Sequence, residues 1–341
     1  MENRIALVPE LNTATSLQNA KDHALIGEAA YLPSTASTPV ISISPLTLQV
    51  PGRIVDLQLR VSAPTIGHGL PIILLSHGHG RSNNLSSLNG YGPLANFWAA
   101  HGFVVIQPTH LSSKSLSLDP GTPGAPLFWR SRVEDMKFIT DKLDEIETLV
   151  PGLKGRLDRS KIAVAGHSMG GHTASMLLGA RLTGPDDGKV VDLIEPRIKA
   201  GVLLGAPGNG GAVLSTFAFE TYAFFRHISF VEMKTPALVV AGDSDVLPYL
   251  TTRGADWHAD PYTLSTGSKS LLTLFGGEHG LGGVAGYDVA ETTDESIERV
   301  AAVQRLSWAY LRSALYPEDH AWSAACATLD GIKKLGKVES K

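Results

Sequence analysis

A hydroxyl, an imidazole and a carboxylate stand in this chain where each could serve the others in acyl transfer. Ser168 lies in Gly166-His167-Ser168-Met169-Gly170, after the apolar run Lys161-Ile162-Ala163-Val164-Ala165 and before a helix-like stretch, Gly171 to Arg181. That order reads as strand, sharp turn, helix, with the serine at the apex. The flanking glycines fit such a turn, because a strained backbone and close approach of strand to helix leave no room for Cβ atoms. A serine hydroxyl is a weak nucleophile at neutral pH and needs a base within hydrogen-bond reach. His279, in Gly276-Gly277-Glu278-His279-Gly280 directly after the apolar run 270–275, is the candidate base; its bland alternative is a solvent-exposed turn histidine. The imidazole in turn needs a carboxylate to orient it. Asp243 and Asp245 follow the run 237–241 in Gly242-Asp243-Ser244-Asp245-Val246-Leu247-Pro248, and Glu278 is a third candidate. Glu278 is the weakest, since neighbours in sequence rarely align their side chains for that bond.

The elements that must hold these residues can be read from hydrophobic pattern. Segments 40–50 and 53–62 alternate across Pro51-Gly52 and predict an antiparallel hairpin. Short continuous apolar runs at 71–75, 103–107, 162–165, 200–204, 237–241 and 270–275 predict buried strands. Helix-like stretches at 88–101, 130–149, 169–181 and 294–315 separate most of them. In the second, Val133, Met136, Ile139, Leu143 and Ile146 recur at helical spacing. Strand–helix alternation predicts an α/β fold in one domain, with an eight-stranded, mostly parallel sheet covered on both faces.

Composition narrows the functional classes. With 341 residues, 43% hydrophobic and 18% charged, the chain can bury a large core. A net charge of −4 gives no electrostatic case for nucleic acid or an anionic membrane. No apolar run is long enough to span a bilayer. Residues 1–23 lack the apolar core of a secretory signal, and the single cysteine, Cys326, excludes an intrachain disulfide. The expected setting is cytoplasmic, with Cys326 a small buried residue. No phosphate loop or dinucleotide fingerprint occurs, so no cofactor is expected.

Several residues carry competing readings. His77 and His79 in Ser76-His77-Gly78-His79-Gly80 invite a metal, but no His-Glu-x-x-His or cysteine cluster accompanies them, and glycines at 78 and 80 fit backbone donation better. His167 reads as a packed, hydrogen-bonded residue and His110 as structural or at the pocket rim. Two long connections, 208–235 and 246–269, carry Phe217, Phe219, Tyr222, Phe224, Phe225 and Phe230, then Tyr249, Trp257 and Tyr262. They pack under ordinary crossovers or cap an apolar pocket above the serine. Residues 1–39 read as a loosely attached arm, 40–316 as the catalytic domain, and 317–341 as an extension with one helix and a solvated basic end.

Taken together, these motifs resemble the α/β-hydrolase superfamily over roughly residues 40–315. The sequences Gly166-His167-Ser168-Met169-Gly170-Gly171, Ser76-His77-Gly78-His79-Gly80 and His101-Gly102-Phe103-Val104-Val105-Ile106 are similar to its branch of dienelactone-hydrolase-like proteins, chlorophyllases, platelet-activating-factor acetylhydrolases and cutinases. The resemblance implies a nucleophile, Ser168, a base, His279, and an acid in the Gly-x-x-Asp turn, Asp245, with Asp243 supporting that turn. It implies an oxyanion hole from the N–H groups of Met169 and His79, with Gly80 the next choice. Chlorophyllases and the acetylhydrolases carry the acid after the sixth strand, where this chain reads Leu203-Leu204-Gly205-Ala206-Pro207. The acid therefore moves to the seventh strand, as in cutinases and dienelactone-type enzymes. Cutinases, however, are secreted and disulfide-bonded, and dienelactone hydrolase uses a cysteine nucleophile. The implied activity is that of a serine esterase, a carboxylic ester hydrolase acting on a small-molecule ester or lactone without metal. A receptor-like ligand binder that hydrolyses slowly and an acyltransferase with the same residues are the alternatives.

Overall fold

The apolar runs become the strands of one sheet in the computed structural model, which describes residues 24–341. They are β1 (Val40–Leu48), β2 (Leu57–Pro64), β3 (Leu70–Ser76), β4 (Val104–Pro108), β5 (Leu157–His167), β6 (Ile198–Leu204), β7 (Ala237–Gly242), β8 (Lys269–Leu274) and β9 (Gly336–Ser340). Their spatial order is β1-β2-β4-β3-β5-β6-β7-β8-β9. Strands β3 to β8 pair with one another in parallel, while β1, β2 and β9 pair antiparallel at the edges.

Alternation along each strand sends side chains to two separate cores. Ile72, Leu74, Val104, Ile106 and Val164 face one; Ile73, Leu75, Val105, Ala163 and Ala165 face the other. The first core is covered by α2 (Trp129–Asp141), α3 (Leu143–Leu149) and α4 (Met169–Leu177). The second is covered by α1 (Gly92–Ala100), α7 (Ile297–Leu315) and α8 (Ala321–Gly331). A parallel sheet buried on both faces explains why its strands read as continuous apolar runs. Two short helices, α5 (Thr216–Thr221) and α6 (Asp260–Thr263), sit in the long connections. No helix among the described residues is long and apolar enough to cross a membrane.

Four expectations need correction. The sheet has nine strands, not eight, because the basic end expected to be solvated supplies β9, whose Ser340 and Gly336 pair with Ser270 and Leu274 of β8. The helix expected over 130–149 breaks at Lys142 (φ −101°, ψ 11°), although its apolar stripe is buried as the spacing required. The described part of the arm is not loose: Ala29 and Leu32 are buried in the second core, and Arg305 Nη1 donates to the Leu32 carbonyl at 3.0 Å. Residues 1–23 of that arm lie outside the described residues. Cys326 is half-buried rather than buried.

Candidate active site

Ser168 sits between the end of β5 and the start of α4 with φ 54° and ψ −120°, a positive-φ conformation that an L-residue adopts at a cost. Three glycines make the turn fit. A Cβ on Gly166 would overlap the Gly170 carbonyl, one on Gly170 would overlap the Ser76 carbonyl, and one on Gly171 would lie 2.7 Å from the Ala206 side chain. The Ser168 amide is tied to the Leu204 carbonyl of β6 at 2.8 Å, so the strained turn is anchored to the neighbouring strand.

The structure brings Ser168, His279 and Asp245 into one hydrogen-bonded row. Ser168 Oγ lies 2.8 Å from His279 Nε2, and His279 Nδ1 lies 3.0 and 3.1 Å from the two Asp245 oxygens. A carboxylate only accepts, so Nδ1 carries the proton and Nε2 offers its lone pair to the serine hydroxyl. Asp245 is buried. Burial alone would raise its carboxyl, but the close contact with the His258 and His279 imidazoles outweighs that and holds it well below the usual carboxylate range.

The other two acid candidates point elsewhere. Asp243 Oδ1 accepts from the Gly276 amide at 2.7 Å, tying the β7 turn to the loop that carries His279. Glu278 turns its carboxylate to the Thr293 hydroxyl. At the end of β6, Gly205 adopts φ 49°, and a Cβ there would approach Asp245 Oδ2 to 3.3 Å and the His279 ring to 3.4 Å. The end of β6 is thus filled by the carboxylate that arrives from β7.

Of the oxyanion candidates, His79 and Gly80 line the same cleft as Ser168. Met169 opens α4, so its N–H lies outside the intrahelical ladder. The Gly78 amide is occupied, donating to Tyr91 Oη at 2.9 Å. A Cβ on Gly80 would meet Glu291 Oε1 at 2.5 Å. Burial lowers His79 to about 4, so its ring is neutral and adds no charge of its own.

The cleft has a volume of about 450 Å³. Leu85, Val246, Leu247, Tyr249, Ala285 and Val289 supply apolar wall, and Arg81, Glu278 and Glu291 charged rim. The aromatics of 208–235 do not line it: Phe224 and Phe225 stand edge-on to His172 beneath α4, while Phe217 and Phe219 are exposed. Tyr249 is the aromatic that the long connections contribute to the wall.

His77 and His110 are both buried in a polar cluster behind β3. His77 Nδ1 lies 2.6 Å from the Gly78 carbonyl, and its Nε2 accepts from the His110 amide at 3.1 Å, leaving no lone pair for a metal. His110 joins Ser76 Oγ to Asp135 at 2.9 Å on each side and does not reach the pocket. Donor atoms of Asp245, His258 and His279 fall within 4.8 Å of one another, yet an ion there would displace the Asp245–His279 bond, and we assign no metal to them.

Three residues of the site had no role in the sequence reading. Asp294 Oδ2 accepts from the amides of Glu278 and Gly282, both at 2.9 Å, and from Arg299 at 3.0 Å, fixing the His279 loop. Tyr91 binds the loop after β3, and His258 stands behind Asp245. Each comes from a segment distant in sequence, with no motif around it. Compared with known proteins, the chain matches no protein-family model and no curated protein.

Proposed function

We propose that this chain is a serine hydrolase of the α/β-hydrolase fold that cleaves carboxylic esters or lactones through an acyl-enzyme on Ser168. The observation that carries this reading is the unbroken Ser168–His279–Asp245 row at a serine held in a strained, positive-φ turn. His279 Nε2 takes the hydroxyl proton as Oγ attacks the carbonyl carbon. The tetrahedral oxyanion then faces the N–H groups of His79 and Met169, preorganised donors of a kind worth about 3 kcal/mol each. Collapse breaks the bond to the leaving oxygen, which takes the proton from His279. Water repeats the sequence and releases the acid. Asp245 stays ionised throughout and stabilises the imidazolium. A cleft with apolar walls favours an uncharged acyl group of modest size.

The test is Ser168→Ala assayed with p-nitrophenyl acetate and butyrate. A loss of about a thousandfold or more in kcat is expected. Turnover within about tenfold of the parent would end this reading.

A further inference from the structure

Asp245 faces two imidazoles, not one. Beyond His279, His258 places Nε2 3.3 Å from Asp245 Oδ2, an ion-pair distance although off the line of a full hydrogen bond. The other nitrogen of His258, Nδ1, lies 2.8 Å from the Ala206 carbonyl oxygen. His258 comes from the 3-10 turn Ala255–Ala259, packs edge-on against Trp257 and stands 5.6 Å, ring to ring, from His279.

Proton counting decides its state. A backbone carbonyl only accepts, so Nδ1 carries a hydrogen. A carboxylate only accepts too, so a bare Nε2 lone pair would face negative charge at 3.3 Å inside a site where both residues are 1% exposed. A neutral imidazole has one N–H, and only the imidazolium has two.

We propose that His258 is a positioning residue, a buried imidazolium that shares the Asp245 carboxylate with His279. It keeps Asp245 ionised and prevents the carboxylate from turning away from His279. The depressed carboxyl of Asp245 agrees with this arrangement. Other charged groups near the cluster are already committed. Asp260 binds Arg253 at 2.8 Å and the Asn209 amide at 2.8 Å. His167, lowered to about 3 by burial, is neutral. Tyr249 and the rim groups Arg81, Glu278 and Glu291 lie on the cleft side.

The inference rests on the hydrolase reading only for its kinetic consequence, and two measurements separate them. In the parent protein labelled with ¹⁵N-histidine, with signals assigned by their loss in His258→Gln, His258 should show two protonated ring nitrogens at pH 7. One protonated nitrogen would overturn the proposal whatever the enzyme does. If the glutamine variant does not fold, His258→Phe supplies the assignment. In kinetics, His258→Gln should lower kcat about tenfold with KM little changed, because the carboxylate that aligns His279 is no longer held. A His258→Gln variant with the kcat of the parent would also overturn it. A parent without ester turnover would defeat the hydrolase reading and leave the nitrogen spectrum to decide this one.

Discussion

Tyr91 Oη stands 2.8 Å from His167 Nδ1 and 2.9 Å from the Gly78 amide nitrogen, so one phenol joins the loop after β3 to the turn that carries Ser168. His167 Nε2 donates to the His279 carbonyl at 2.7 Å, which fixes the direction of every bond in the row. The Gly78 N–H donates to Tyr91, Tyr91 O–H donates to His167, and His167 N–H donates to the backbone of His279. All three site loops are thereby tied together behind the cleft.

Tyr91→Phe cuts that tie at one atom. It leaves the Gly78 amide and His167 Nδ1 buried without partners, a loss of about 2 kcal/mol in unfolding free energy. Because the His79 loop is released with it, kcat should fall about tenfold or more, in keeping with the cost of a small misplacement of a donor. Urea unfolding and ester kinetics on the same preparation check both. A variant equal to the parent in both would show that Tyr91 only fills space.

Asp245→Asn and Asp243→Asn separate orientation of the base from support of its loop. The Asp245 carboxylate lies against His279 Nδ1, and its amide variant should drop turnover by about 10⁴-fold, as the wrong tautomer does in a related triad. Asp243 holds only the Gly276 amide and the Ser244 hydroxyl, so its variant should lose about 1 kcal/mol of stability and keep at least roughly a tenth of the activity. Steady-state rates on p-nitrophenyl butyrate decide the ranking, and the reverse order would exchange the two roles.

How far the sequence reveals this arrangement depends on the kind of signal. The central strands are legible because burial on both faces leaves runs such as Ile72-Ile73-Leu74-Leu75 with no polar interruption. The serine turn is legible because its glycines are demanded by overlap with specific carbonyls. β9 is not, since Gly336-Lys337-Val338-Glu339-Ser340 has one apolar side chain and takes its strand form from pairing with β8. Nor are Tyr91, His258 and Asp294, whose roles arise from tertiary contact across many residues and have no periodicity to betray them.

His172 predicts how the protein responds to acid. It is buried, neither ring nitrogen has a hydrogen-bond partner among the described residues, and burial followed by the Arg132 charge lowers it to about 3. The unfolded chain takes up a proton near pH 6.5 that the folded one refuses. Stability from this group is therefore whole above that pH and falls, by about 1.4 kcal/mol per pH unit, as pH drops toward 3. His172→Phe, beside Phe224 and Phe225, should match or exceed the parent at pH 7 and flatten the decline between pH 6 and 4. Urea midpoints across that range test it, and an unchanged slope would assign the acid sensitivity to other groups.

Arg132, on α2 and fully buried, predicts the largest structural loss. Its guanidinium donates to the His77 carbonyl, Ser112 Oγ and, at 3.1 Å, Thr173 Oγ1, with Ser76 Oγ at 3.4 Å. One planar group thus clamps the loop after β3, the loop after β4 and the helix that begins at Met169. Arg132→Met would strand these acceptors and leave the buried Asp135 with less compensating charge, a cost of about 3–5 kcal/mol. Arg132→Lys keeps the charge but not the fork, and one ammonium cannot reach acceptors on three segments. The lysine variant should therefore recover part of the stability while kcat stays depressed, because the His79 loop is still not held. Urea unfolding with kcat on p-nitrophenyl butyrate separates the two effects. A methionine variant within about 1 kcal/mol of the parent would show that the clamp is dispensable.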